Sequence, residues 1–187
     1  MKLIATVALM LNLGVAGVYA QQNPVKMTAS GTLEASTISL QPNTRTDEQN
    51  LAGDGTLGPF TFRELHADTA SPQPSSTCSG PTKVFFPTVA GGGVFRFQEG
   101  SLLTVNLTEG SSLCIDFAAL LGHLTVTYQI TGGTGRFNAA SGALTLTATW
   151  SPVLFDANNT AVLLTSTGEL EGTVSGVSEE QGQDKGQ

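Results

Sequence analysis

The stretch that decides the fold runs from Ile130 to Trp150 and reads ITGGTGRFNAASGALTLTATW. Its second half alternates strictly, because Leu144, Leu146, Ala148 and Trp150 share one face while three threonines share the other. Successive side chains of a β-strand point to opposite faces, so this rhythm predicts a strand with one buried and one wet face. The glycines at the start of the stretch predict a bend between two such strands.

The same two-residue period recurs along the chain, and no helical period of apolar residues competes with it. Clear strands are predicted at residues 26–35, 124–130, 144–150 and 162–174, and weaker ones at 60–65, 93–98, 102–107 and 112–117. The short glycine-containing spacers 98–100 and 108–110 predict tight hairpins. The polar stretch 41–58 and the proline-bearing stretch 67–82 are predicted to be irregular loops.

About eight antiparallel strands would leave two open sheet edges, and closure into a barrel removes such edges. The predicted fold class is therefore all-β, a single antiparallel β-barrel of about eight strands. A barrel of this size is either filled by side chains or holds one small ligand.

The N-terminus has the pattern of a cleaved secretory signal. Lys2 precedes an apolar run that ends near Val15, and the small residues Val18 and Ala20 stand before the expected cut. The run is shorter than the ~20 apolar residues that a membrane span requires. We therefore expect a signal peptide at 1–20, a barrel domain at 21–177 and a disordered polar tail at 178–187, in an extracellular or periplasmic protein with no membrane association after cleavage.

Two cysteines follow the expected cut, Cys78 and Cys114. An isolated pair in an oxidising compartment is most simply one structural disulfide. Closing a ring of about 37 residues would stabilise the fold by roughly 4 kcal/mol in the loop-entropy model.

The charge pattern argues against several partners. The formal net charge is −7, and the eight lysines and arginines are scattered singly. Binding to a phosphate backbone or to an anionic membrane surface needs a clustered basic patch, so we expect neither nucleic acid nor membrane as a partner.

Few residues carry obvious reaction chemistry. The two histidines, His66 and His123, are each expected to be surface or turn residues rather than members of a catalytic arrangement. No ligand spacing for zinc and no cofactor motif is present, so the prediction is no metal and no cofactor. Glu169 and Glu171 share a strand face that we expect to be solvated.

Three single charges stand among apolar or aromatic residues: Arg96, Asp116 and Arg136. If their side chains entered the barrel, they would form a polar pocket for a ligand. The alternative is that they form ion pairs on the rim.

The bend region carries a family resemblance. The run GGTGRFNAASGALTL resembles the motif of the dirigent and allene oxide cyclase barrels, and still more that of secreted bacterial proteins with TGGTGRF. The matching positions are Gly132, Gly133, Thr134, Gly135, Arg136, Phe137 and Gly142. The resemblance implies an eight-stranded antiparallel barrel that is often trimeric, with an interior that takes an apolar or phenolic molecule in the plant members. The acidic pocket residues of the plant dirigent proteins have no clear counterpart in this sequence.

These observations favour a secreted barrel without catalytic activity, which binds a small apolar molecule or acts as an interaction module and self-associates as the resemblance implies. The alternative is an isomerase or cyclase that orients a reactive intermediate, because such catalysis needs few charged groups. A third alternative is a purely structural surface protein. A cavity with converging polar groups would favour the first two, and a solid interior would favour the third.

Overall fold

The computed structural model describes residues 22–108 and 110–178, and within these ranges the chain forms nine strands and one short 3₁₀ turn. The predicted signal at 1–20 lies outside the described residues, as does the predicted tail apart from Ser178. The strands are β1 (Asn23–Ala35), β2 (Thr44–Gly55), β3 (Phe60–Thr69), β4 (Lys83–Phe97), β5 (Leu102–Leu107), β6 (Ser112–Asp116), β7 (Leu121–Gly133), β8 (Ser141–Phe155) and β9 (Ala161–Ser175).

All strands pair antiparallel, and the sheet closes on itself. β1 pairs with β2 on one side and with β9 on the other, while β3 pairs with β4. β4 and β7 each pair with both β5 and β6, so these two short strands follow one another in a single position of the sheet. The nine strands of the described ranges thus occupy eight positions, which confirms the predicted eight-stranded antiparallel barrel.

Two local predictions are wrong. The spacer 108–110 does not form a hairpin, because β5 and β6 are both antiparallel to β7, run in the same direction and do not pair with each other. The stretch 41–58 is mostly the strand β2 rather than a loop. This strand escaped the periodicity because its inward face carries Asp47 and Gln49, both fully or nearly fully buried, ahead of Leu51.

The inward and outward faces predicted from alternation are confirmed in strands that have one apolar and one polar face. The inward residues of β7 and β8 are buried, from Leu124 to Ile130 and from Leu144 to Trp150. On the outer face of β9, Glu169 and Glu171 are exposed, and Glu171 forms an ion pair with Lys26 of β1 at 3.0 Å. No helix within the described residues is long and apolar enough to cross a membrane.

The interior is divided along the barrel axis. At the end where β3 begins and β4 ends, six aromatic rings pack together, with Phe62 and Phe95 stacked at a centroid distance of 4.0 Å. The other rings of this group are Phe60, Phe97, Tyr128 and Phe137. We call this the closed end. The opposite end, where β1 ends and β2 begins, is the open end.

The predicted disulfide joins Cys78 and Cys114, and both cysteines of the chain are therefore oxidised. Cys78 lies in the segment between β3 and β4, and Cys114 lies in β6. The bond therefore ties the long 70–82 connection to the barrel wall near the open end.

We expect the double variant Cys78→Ser/Cys114→Ser to lose about 4 kcal/mol of unfolding free energy, because the unfolded chain regains the entropy of a ring spanning 36 residues of separation. Urea unfolding followed by circular dichroism measures this loss. A difference below about 1 kcal/mol would show that this connection is held in place without the bond.

Candidate functional site

The Gly-Thr-Gly-Arg-Phe motif closes one end of the barrel. Gly135 to Phe137 form the 3₁₀ turn between β7 and β8, and Phe137 is fully buried against Phe97. The guanidinium of Arg136 lies over these two rings, 5.0 Å from the Phe97 centroid and 4.5 Å from that of Phe137. It also donates hydrogen bonds to Glu99 Oε1 at 2.8 Å and to the Leu57 carbonyl.

Glycine is required at position 135 for two reasons. Its φ is +60°, in the region that side chains disfavour, and a Cβ there would collide with the Ser101 side chain. The motif therefore forms the bend that its glycines predicted, and Arg136 and Phe137 serve as the plug of the closed end.

The open end contains a cavity of about 560 Å³. Its wall is largely apolar, and Arg45, Asp47 and Asp116 are the charged residues that reach it among those described. Several large apolar side chains stay exposed at this end, including Phe117 at 60% and Leu120 at 53%. The remaining wall is formed by Leu33, Ala35, Ile115, Leu121, Gly122, Trp150, Pro152, Phe155, Asn159, Thr160, Ala161 and Leu164.

Trp150 and Gly122 shape one side of this cavity. Trp150 is almost fully buried, and its indole N–H has no hydrogen-bond acceptor within residues 22–108 and 110–178. Its ring lies flat against the backbone of Gly122, where a Cβ would come within 2.7 Å of a ring carbon. The cavity is therefore bounded on this side by the indole ring, while its wall also includes Asp47.

Asp47 belongs to a cluster of acidic groups around one histidine in the interior of the barrel. Asp47, Glu64, His66 and Asp68 project inward from β2 and β3 and are each at most 3% exposed. His66 Nδ1 lies 3.3 Å from Glu64 Oε1, and His66 Nε2 lies 4.0 Å from Asp68 Oδ2. We call these four residues the acid–histidine cluster.

Polar neighbours hold the cluster in place. Tyr128 donates to Glu64 Oε2 at 2.6 Å, and Thr88 donates to Asp68 Oδ1 at 2.6 Å. Arg45 covers the cluster from the open end, donating to Asp47 Oδ2 at 2.7 Å and lying 3.9 Å from Asp68 Oδ2. The Arg45 side chain is itself half exposed, at 50%.

The pKa values reflect this crowding. Burial lowers the pKa of His66, but the adjacent Glu64 carboxylate and the charges of Asp68 and Asp47 outweigh burial and raise it to about 9. Burial raises the pKa of Asp68, partly offset by the His66 charge and the Thr88 hydrogen bond. Burial and the Glu64 carboxylate together raise the pKa of Tyr128 well above its usual value.

The three charges predicted to share a pocket are not brought together, so the prediction of a joint pocket is wrong. Arg96 is exposed on the outer face of β4, because Phe95 and Phe97 take the inward positions on either side of it. Arg136 is at the closed end, and Asp116 is at the open end. Ligand binding by any one of the three stays a prediction.

Asp116 has a local structural role. Its Oδ1 accepts hydrogen bonds from the backbone N–H groups of Ala118 and Ala119 and from the Thr82 hydroxyl, at 3.0 to 3.2 Å. These contacts, chiefly the one from Ala119, hold the pKa of Asp116 below its usual value. The residue shapes the turn before β7 and thereby one edge of the cavity.

Sequence reasoning missed the acid–histidine cluster. The expectation of a surface or turn histidine is wrong for His66, because β3 continues to Thr69 and keeps His66 on the inward face. It agrees with the exposed position of His123. The available signal was the spacing of Glu64, His66 and Asp68, which places three ionisable side chains on one face of a strand that begins with inward Phe60 and Phe62.

Comparison with known proteins finds similar solved structures. No family model matches the chain, and no curated protein does. Among solved structures, the chain is similar to a pterocarpan synthase dirigent protein at 12% identity and a TM-score of 0.28, covering 89% of this chain and 98% of that chain. A similarity at this score supports no conclusion about ligand or activity. The narrower resemblance to secreted bacterial proteins with TGGTGRF stays a prediction.

We expect Arg136→Ala to lower the unfolding free energy by about 2 kcal/mol, because it removes a charged hydrogen bond and the cation–π contacts of the plug. Arg96→Ala is the matched control and should change it by less than about 0.5 kcal/mol, since its side chain is exposed. Urea unfolding of the two variants measures both values. Equal effects would contradict the assignment of Arg136 as a plug.

We expect Tyr128→Phe to destabilise the protein by about 1–3 kcal/mol, because it leaves the buried Glu64 carboxylate without its hydroxyl donor. The substitution removes one oxygen and keeps the ring that packs against Phe62. Thermal unfolding by circular dichroism is the measurement. A variant as stable as the parent would show that Glu64 finds another donor.

Proposed function

We propose that this chain is an exported β-barrel protein that binds one small, largely apolar organic molecule in the cavity of its open end. The observation that carries the proposal is an apolar cavity with a buried carboxylate, Asp47, in its wall. Ligand pockets in proteins typically have volumes of about 300–1,000 Å³ and apolar walls with a few placed polar groups, and this cavity fits that description.

The polar groups of the wall suggest what the ligand carries. Asp47 lines the cavity, and its carboxylate accepts hydrogen bonds. A molecule with a hydroxyl group could donate to it, while its apolar body contacts residues such as Leu33 and Leu164. An aromatic or terpenoid alcohol is therefore the ligand class that the cavity fits best.

The disulfide supports export to an oxidising compartment. The Cys78–Cys114 disulfide is the form that such a pair takes in an oxidising compartment. The signal pattern at residues 1–20 agrees with the same compartment.

An isomerase or cyclase remains a second candidate, and one observation favours it. Within the described residues, Asp47 belongs to the acid–histidine cluster and also lines the cavity. It would be the group that exchanges a proton with a bound molecule, while His66 would act through it as a positioning residue. Conversion of a bound alcohol or epoxide during incubation, followed by chiral chromatography, separates this candidate from simple binding.

Trp150 provides the binding assay, because it is the single tryptophan of the chain and lines the cavity. We expect a panel of aromatic and terpenoid alcohols, tested with a chelator present, to include members that shift its emission saturably at micromolar concentrations. Native mass spectrometry of the same mixtures gives the stoichiometry, which should be one ligand per chain.

Two variants with the same added ring locate the site. Ala161→Phe fills part of the cavity and should weaken binding at least about 10-fold, whereas Ala143→Phe adds the ring on the exposed outer face and should leave it unchanged. Asp47→Asn should weaken the binding of alcohols more than the binding of the matching hydrocarbons. Asp54→Asn, on the exposed part of β2, is its control. Equal losses in the two alanine variants, or no saturable shift with any compound, would contradict the proposal.

A further inference from the structure

The acid–histidine cluster has the composition of a metal site. One ligand atom from each of Asp47, His66 and Asp68 lies within 4.8 Å of the other two, and all three residues are buried. They come from adjacent positions on two paired strands, with Asp47 directly opposite His66 in the β2–β3 register. The β2–β3 pairing in the closed barrel therefore fixes the relative Cα positions of these three residues.

Four polar atoms of the cluster make no hydrogen bond within residues 22–108 and 110–178, namely Glu64 Oε1, both ring nitrogens of His66 and Asp68 Oδ2. His66 Nε2 and Asp68 Oδ2 are among them, although both residues are at most 1% exposed. Leaving a buried polar atom unsatisfied costs about 1–3 kcal/mol, and such atoms are rare in native proteins. A cation between the two atoms would satisfy both.

The charges of the cluster favour a dication. Asp47, Glu64 and Asp68 are three buried carboxyl groups, and Arg45 is the guanidinium in contact with two of them. In the metal-bound state, in which the imidazole is neutral, three carboxylates face the Arg45 guanidinium, and a dication balances the two negative charges in excess. Excess charge in a barrel interior is strongly unfavourable unless it is compensated.

Glu64 is placed to orient the histidine. Its Oε1 lies 3.3 Å from His66 Nδ1, while its Oε2 is held by the Tyr128 hydroxyl at 2.6 Å. Histidines that bind metal commonly donate their second ring N–H to a carboxylate, which fixes the tautomer and the ring orientation. Although His66 Nδ1 and Glu64 Oε1 form no hydrogen bond in the structure, a small rotation of the ring would let Nδ1–H donate to Glu64, which leaves the Nε2 lone pair for the ion.

We propose that Asp47, His66 and Asp68 bind one divalent first-row transition-metal ion, of which Zn²⁺ is the simplest probe. Ligand atoms at about 2.1 Å from one ion are at most about 4.2 Å apart, and the 4.0 Å between His66 Nε2 and Asp68 Oδ2 meets this limit. Rotations that move atoms by about half an ångström bring the rest of the set within it. An imidazole among the ligands favours zinc, cobalt or nickel over magnesium or calcium.

Arg45 competes with the ion for the same oxygens. It donates to Asp47 Oδ2 and lies close to Asp68 Oδ2, but its half-exposed side chain can swing towards solvent. Arg45→Met should therefore tighten Zn²⁺ binding several-fold. Weaker or unchanged binding would contradict the assignment of both aspartates as ligands.

The direct test is Zn²⁺ titration by calorimetry on the mature chain, expressed without a histidine tag and freed of metal by chelation. We expect one equivalent bound with a Kd near or below about 1 µM, a tenfold to hundredfold loss in Glu64→Gln, and a larger loss in His66→Gln. His123→Gln is the matched control, because it removes the other of the two histidines from an exposed site and should change Kd by less than about twofold.

A measurement on the parent protein covers the case in which a variant does not fold. Co²⁺ should broaden or shift the NMR signals of one imidazole ring, that of His66, and leave His123 sharp. Absence of saturable binding, equal losses in the two histidine variants, or Co²⁺ effects on His123 alone would overturn the proposal. Its failure is separable from that of the ligand proposal, because the Trp150 assay is run with chelator and Ala161→Phe should leave Zn²⁺ binding unchanged.

Discussion

Closure of the sheet is the constraint on which the rest of the structure depends. Once β1 has paired with β9 and β3 with β4, every second residue of each strand must enter a common interior. An inward side chain then has no route to bulk water except through an end of the barrel. The character of each end therefore decides which inward residues are tolerable.

The two ends solve this problem differently. At the closed end, aromatic rings fill the section and Arg136 lies over them, so the interior is dry and solid. At the open end, the interior instead contains ionisable groups of which several polar atoms make no hydrogen bond within the described residues, and Arg45 lies between these groups and the solvent. A solid plug at one end allows the other end to stay hollow without loss of a defined shape.

The cavity and the acid–histidine cluster meet at one residue. Asp47 lines the cavity on one side and contacts the cluster on the other. Anything that changes the charge behind Asp47, a proton or a metal ion, would therefore be felt by a molecule in the cavity.

Sequence reasoning predicted the strands in which apolar and polar faces are distinct. β1, β7, β8 and β9 alternate clearly because their inward faces are mainly apolar. The count of eight also used four weaker strands, and it agrees with the eight positions because the missed β2 is offset by β5 and β6 sharing one position. Sequence reasoning failed for β2, where Asp47 and Gln49 point inward and the alternation of polarity vanishes. Hydrophobic periodicity cannot detect a strand whose buried face is polar. In this barrel that strand, β2, carries Asp47 of the acid–histidine cluster.

The same limit explains the errors on single residues. Arg96, Asp116 and Arg136 stood out because they were isolated charges, but isolation along the chain says nothing about which face a residue occupies. Glu64, His66 and Asp68 were less conspicuous, although their spacing by two placed them together. The disulfide was predictable because the sequence contains only two cysteines and therefore one pairing.

The absence of a side chain at Gly122 sets the position of an entire indole ring. Trp150 rests on bare backbone there, so a single methyl group would tilt the ring towards the empty volume. One added carbon at this position of the wall would thus change the volume of the cavity. A substitution at this position could change the size of the molecule that fits the cavity without altering the strand pairing, the Arg136–Phe137 plug or the acid–histidine cluster.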